Sequence, residues 1–127
     1  MDQPLEGDLV RLRAKEPEDE PYFYRWVNDP EVARHLLVRY PMSHAQEREY
    51  AGTPVTYGNA TFAVVRRSDD QLIGNASLRR TSPENRSAEL GLMIGAKECW
   101  GQGYGTDTVR TICRFGFGMM NLHRIEL

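Results

Sequence analysis

Cysteine is scarce: Cys99 and Cys113 are the two in 127 residues, and they do not form a C-x-x-C pair. Two thiols make no disulfide framework and no paired-cysteine zinc site, so the expectation is a reduced, cytoplasmic protein. Long apolar runs are absent, and no stretch approaches the length needed to span a bilayer. The N-terminus, "MDQPLEGDLV", carries no apolar signal-like core. Charge of one sign is lacking too. Lys and Arg number 16 against 18 Asp and Glu, for a net charge of −2, which gives no electrostatic case for nucleic acid or an anionic membrane. There is no repeat, no low-complexity tract and no linker. His35, His44 and His123 show no metal-ligand spacing.

What remains is an ordinary globular composition, 40% hydrophobic and 27% charged, in a chain long enough for one real core. "GDLVRLRA" alternates, with Leu9 out of phase with Val10 and Leu12, and predicts a first strand. "KEPEDEPYFYRWVND" predicts a short helix after an acidic turn, with Phe23, Trp26 and Val27 at helical spacing. Asp29 and Pro30 cap and open a second helix, with Glu31 at its positive end. Ser43 and Gln46 form a capping-box pattern for a third. "TFAVVRR" and "QLIGNASLRR" predict two strands joined by an "SDD" turn, and the mostly apolar "AELGLMIG" a buried one. Val109, Ile112, Cys113, Gly116, Phe117 and Met120 line up as the apolar face of a later helix, followed by a strand at "HRIEL". The order predicts an α+β fold, α/β-like at its C-terminal end.

Between the buried strand and the last helix stands "CWGQGYGT", with Gly101, Gly103 and Gly105 at alternate positions. Glycine supplies nothing to pack, but it lets another molecule approach the backbone. A helix start offers unpaired N–H groups and a positive dipole end, so the junction reads as an anion site, most often for phosphate, or else as a plain tight turn. A Walker A loop needs Gly-Lys-Ser/Thr, and here Thr106 and Asp107 follow Gly105. A dinucleotide fingerprint needs G-x-G-x-x-G in a first βα unit, and the spacing here is G-x-G-x-G, late in the chain.

The segment "AELGLMIGAKECWGQGYGTDTVRTICRFGF…NLHRIEL" resembles the GNAT superfamily of acetyl-CoA-dependent N-acetyltransferases, in particular its RimJ/RimL-type branch. "LVRLR", "WVNDPEV", "YPMS" and "LIGNASL" are similar to the same branch. The superfamily loop reads Q/R-x-x-G-x-G/A. Gly103 and Gly105 match its glycines, and Trp100 stands where Gln or Arg is usual. The resemblance implies a mixed, mainly antiparallel central sheet flanked by helices, in one acetyltransferase domain over residues 1–127 that is incomplete at its C-terminal end. It implies that acetyl-CoA is the cosubstrate. Its pyrophosphate would lie on the loop (Gly101, Gln102, Gly103, Tyr104, Gly105 and Thr106), and its pantetheine arm along Leu92, Met93 and Ile94. No metal is expected, since the histidines lack ligand spacing. Trp26, Asn28, His35 and Tyr40 fall in the region that lines the acceptor cleft in that family.

The implied reaction is attack of an amine on the acetyl thioester. Glu89, at the start of the buried strand, is the candidate base, or else a solvated strand-end carboxylate or one that orients Arg86 or a neighbouring turn. Cys99, just before a helix start, reads as a small packing side chain or as a thiol with a lowered pKa. The acidic "EPEDE" reads as a solvated helix start or as an attractor for a cationic acceptor. The thiolate-protonating acid is expected beyond Leu127. The expected partner is an amine acceptor (protein N-terminus or small molecule), with a homodimer left open and with no nucleic acid and no membrane. A non-catalytic coenzyme A-binding module stays open as the alternative, and a nucleotide-binding domain rests on the glycines alone.

Overall fold

The computed structural model describes residues 5–34, 41–56 and 58–126. The chain opens with strand β1 (Val10–Arg13), followed by α1 (Glu20–Val27), the single turn α2 (Pro30–Ala33) and α3 (His44–Ala51). A meander of β2 (Asn59–Arg66), β3 (Leu72–Ser82) and β4 (Ser87–Ile94) comes next, then α4 (Tyr104–Met119) and β5 (Arg124–Glu126). The five strands lie in sequence order in one sheet. β1 to β4 pair antiparallel, while β5 runs parallel to β4 because α4 carries the chain back across the sheet. This is the expected α+β architecture, with its α/β-like end.

Local signals account for most boundaries. Val10 and Leu12 are buried in β1, and Leu9 is exposed, as the alternation requires. Asp29 accepts from the Glu31 N–H at 3.0 Å and starts α2. Ser43 and Gln46 exchange side-chain-to-backbone bonds at 3.0 and 2.9 Å and start α3.

Two expectations are corrected. The acids of "EPEDE" do not all form a solvated helix start: Asp19 and Glu20 are buried. Asp19 takes a two-point bond from the Arg13 guanidinium, at 2.9 Å twice, and Glu20 meets His44 at 2.7 Å. Paired charges can turn inward where lone ones cannot. On α4, Ile112 and Gly116 are buried as expected, but Phe117 is 48% exposed. Phe115 takes the inward place, edge-on to Phe62 with ring centroids 5.4 Å apart. The buried stripe runs through Thr108, Thr111 and Ile112, rotated from the purely apolar one. Threonine fits there because Thr108 and Thr111 return their hydroxyls to the carbonyls of Tyr104 and Asp107, both at 2.7 Å.

The core has two layers. α4 packs on one face of the sheet, where Leu78 and Leu122 crowd Gly116 closely enough to exclude a Cβ without rearrangement. α1 and α3 pack on the other face, with Phe23 against Trp26 and Tyr50. β4 lies between the layers. Met93 and Gly91 face α1 and α3, and by alternation Glu89 shares that face while Leu90 and Leu92 face α4.

Candidate functional site

The chain leaves β4 through a 3-10 turn (Lys97–Cys99) and reaches α4 through the glycines. Gly101 and Gly103 have φ of 75° and 89°, values that β-carbon residues adopt only under strain. With Gly103 left-handed, the chain turns sharply enough for α4 to begin at Tyr104. The first intrahelical bond runs from the Asp107 N–H to the Gly103 carbonyl at 3.0 Å. The N–H groups of Tyr104, Gly105 and Thr106 find no acceptor among the described residues. Beside them lies a cavity of about 270 Å³, lined by Ile94, Cys99, Trp100 and the loop itself. Unpaired donors at the positive end of a 16-residue helix, with room in front of them, suit a phosphate-bearing ligand.

Trp100 explains its own departure from the usual Gln or Arg. Its indole N–H donates to the Ile94 carbonyl at 2.7 Å and ties the loop to the last residue of β4. Gln102 reaches back to the Glu98 carbonyl at 2.5 Å. The strand side of the site is β4 itself. β5 pairs with it only from Ser87 to Glu89. From Leu90 to Ile94 the outer edge of β4 has no strand partner among the described residues. Leu92 and Ile94 are half-buried and Met93 is buried, so an extended arm could lie against backbone here rather than against the Met93 side chain. The Leu92 side chain also stands 3.8 Å from where a Gly105 Cβ would be, so strand and loop form one continuous surface.

Asp107 was not singled out in the sequence. Its carboxylate is buried in the first turn of α4 and accepts from the N–H groups of Asp8, Leu9 and Val10 at 3.2, 2.8 and 3.0 Å. It fixes the start of α4, and so the glycine loop, to the entry of β1. The signal was present as an acid in the first helical turn, but its partners lie almost a hundred residues away.

On the other face, Trp26 is buried with its indole flat against Gly95, so closely that a Cβ there has no room. It also lines a cleft with Tyr22, Arg25 and Lys97. The Asn28 side chain accepts from the Met42 N–H at 2.7 Å and donates to the Met42 and Tyr24 carbonyls at 3.0 and 2.9 Å. Its amide is thereby spent on shaping the segment that leads into α3. His35 and Tyr40 lie outside the described residues. Glu89 is half-exposed, with its carboxylate 3.3 Å from the Arg79 guanidinium, and it faces Glu126 at the last β4–β5 pair.

Cys99 is buried, with the Arg66 guanidinium 3.4 Å from its sulfur. Burial pushes its thiol above the ordinary range, more than Arg66 lowers it, so it is a packing side chain and not an activated thiol. Burial likewise raises the Cys113 thiol. Among the described residues no three His, Cys, Asp or Glu side chains gather as metal ligands. Among the described residues no helix is long and apolar enough to cross a membrane.

The family described as acetyltransferase (GNAT) domain matches residues 10–127. An uncharacterized N-acetyltransferase, p20, of Bacillus licheniformis is 28% identical over 126 residues, covering 96% of this chain and 70% of its own. A GNAT-family acetyltransferase from Bacillus anthracis superposes with a TM-score of 0.81 at 18% identity, over 95% of this chain and 70% of that one. A spermidine N-acetyltransferase from Vibrio cholerae, solved with CoA and spermine, does so at 0.78 and 23% identity, over 92% and 69%. At these identities the two structural likenesses are of fold. The family match and the glycine-started helix beside a free strand edge agree: the chain belongs to the GNAT family of acetyl-CoA-dependent N-acetyltransferases.

Proposed function

We propose that this chain moves the acetyl group of acetyl-CoA to a primary amine, a protein N-terminal α-amine or a small-molecule amine, by direct attack in a ternary complex. The observation that carries the reading is the bare start of α4, where three unpaired N–H groups stand beside two left-handed glycines. Gly101, Gln102, Gly103, Tyr104, Gly105 and Thr106 would hold the pyrophosphate. The free edge of β4 at Leu92, Met93 and Ile94 would pair with the pantetheine arm. When bound, acetyl-CoA supplies the activated acetyl thioester.

The chain's own part is to position and deprotonate the amine. Making a lysine-like amine neutral at pH 7 costs roughly 4–5 kcal/mol and an α-amine about 1 kcal/mol. Glu89 stands on the α1/α3 face, where β5 ceases to pair, and is the proposed base, taking the proton through water. Arg79 would hold its carboxylate in place. Backbone N–H groups on the free edge of β4 would polarise the carbonyl. Trp26 would wall the acceptor side, and Asn28 would shape it. The RimJ/RimL resemblance favours an α-amine acceptor, and the spermidine enzyme that shares the fold favours a small one. The two free cysteines fit a cytoplasmic setting.

Turnover of acetyl-CoA against a panel of α-amines and alkyl amines tests the reading. Failure to acetylate any of them by a protein that binds acetyl-CoA would leave a coenzyme A-binding module. Glu89→Gln is expected to lose activity at neutral pH and to recover it where the amine deprotonates itself. Equal loss at all pH values would remove Glu89 from the role of base.

A further inference from the structure

On the face opposite α4, helices α1 and α3 leave a cavity of about 190 Å³ above the β3–β4 ladder. Its floor is formed by two register pairs, Asn75 with Met93 and Ser77 with Gly91. The Gly91–Met93 stretch is the part of β4 just past the point where β5 stops pairing. The volume equals about six waters at ~30 Å³ each, enough for a short alkyl chain.

One side chain in this cavity makes no hydrogen bond or close ion pair among the described residues. Glu47, on α3, is 6% exposed and lines the cavity. Among the described residues nothing donates a hydrogen bond to its carboxylate and no cation comes within ion-pair distance. Its neighbours are already committed. The Lys15 ammonium donates to the Tyr50 carbonyl at 2.8 Å and lies 3.6 Å from the Tyr50 ring centroid. Glu20 is held by His44. Burial, then the Glu20 charge, push the Glu47 carboxyl above the ordinary range, with Lys15 opposing. A buried carboxylate without a partner is costly, and a cation entering the cavity would offset that cost.

We propose that this cavity is an acceptor subsite in which Glu47 holds a second ammonium group, so that the preferred acceptor is a short alkyl diammonium. The inference rests on the acetyl-transfer reading above and adds the class of acceptor. Glu47 suits the nitrogen that stays charged. A buried carboxylate beside an ammonium strengthens its hold on the proton, whereas the attacking amine must give its proton up. Glu89, half-exposed at the last β4–β5 pair, has the water access that a proton acceptor needs. Val27, Met93 and the Tyr50 ring supply apolar wall for the methylenes between the two nitrogens. The second ammonium takes no part in the bond changes.

The test uses three amines of one chain length that differ in the sign at the far end: 1,4-diaminobutane, n-butylamine and 4-aminobutanoate. Binding to the full chain in the presence of CoA is measured by calorimetry, and acetylation by steady-state kinetics. The wild type is expected to bind the diamine at least tenfold more tightly than butylamine, and the amino acid most weakly. Glu47→Gln is expected to cut the diamine preference to within about threefold, while the KM for acetyl-CoA stays within twofold. The diamine-to-butylamine ratio is taken on one sample, so it is unaffected by any change in the folded fraction. A wild type without the preference, a preference that survives Glu47→Gln, or an equal loss for both amines would overturn the inference while acetyl transfer stands. A preference that Glu47→Gln abolishes, in a protein that acetylates α-amines but none of the three, would overturn the cavity as an acceptor subsite while acetyl transfer stands.

Discussion

Asp107→Ala tests the contact on which the position of the coenzyme loop depends. The carboxylate accepts three backbone N–H bonds from the strand entry, two of them through Oδ2. The losses differ by site. Asp8 and Leu9 are exposed, so their N–H groups can turn to water. Val10 is wholly buried, and its N–H would be orphaned, at roughly 1–3 kcal/mol. Adding partial loss of two charge-assisted bonds and of an acid at the positive end of α4 gives about 3 kcal/mol in all. For a chain of this size that corresponds to a fall in Tm of roughly 10 °C. Asp107→Asn keeps an oxygen for Leu9 and Val10 and sets an amide donor against the Asp8 N–H, so about half that loss is expected. Thermal unfolding followed by circular dichroism measures both. Acetyl-CoA should also stabilise the alanine variant less than the wild type, because the start of α4 is no longer tied to β1. A Tm for Asp107→Ala within about 3 °C of wild type would refute the assignment of this carboxylate as a structural staple.

Gly103→Val should raise the KM for acetyl-CoA far more than that for the amine, because a branched side chain at a left-handed position beside the unpaired N–H groups both strains and obstructs the loop. Gly105→Ala is the gentler control, since its Cβ meets only Leu92 at an ordinary 3.8 Å; an unchanged KM in a folded Gly103→Val protein would reduce the loop to a turn. Burial lowers the Lys15 ammonium to about 8, so the unfolded chain binds the extra proton between that value and its ordinary pKa. Stability attributable to Lys15 should therefore rise as pH rises through that window, and Lys15→Met should flatten the rise in urea titrations at several pH values. Cys99→Ala should keep turnover within a few fold and lose some stability to the space left behind; abolished turnover in a folded variant would point to thiol chemistry.

Local physics made much of this protein legible from its residues alone. The phase of Leu9 against Val10 and Leu12, the Ser43–Gln46 box, the Asp29 cap and the glycine-started helix each depend on neighbours a few residues apart, and each appears where the pattern put it. The loop was legible as an anion-suited helix start because backbone shape there is itself local, while the family and its cosubstrate came with the resemblance of the whole segment around it. Tertiary structure decided what depends on distant partners. Phe115 rather than Phe117 turns inward because Phe62 waits across the sheet, a fact α4 does not contain. Asp19 and Glu20 are buried because Arg13 and His44 meet them. Asp107 becomes a staple only once β1 arrives beside α4. Glu47 looks, in sequence, like any exposed acid on a polar helix. Only the stacking of α1 and α3 over β3 and β4 closes it into a cavity, because burial and charge pairing are properties of surfaces brought together and not of the segments that bear them.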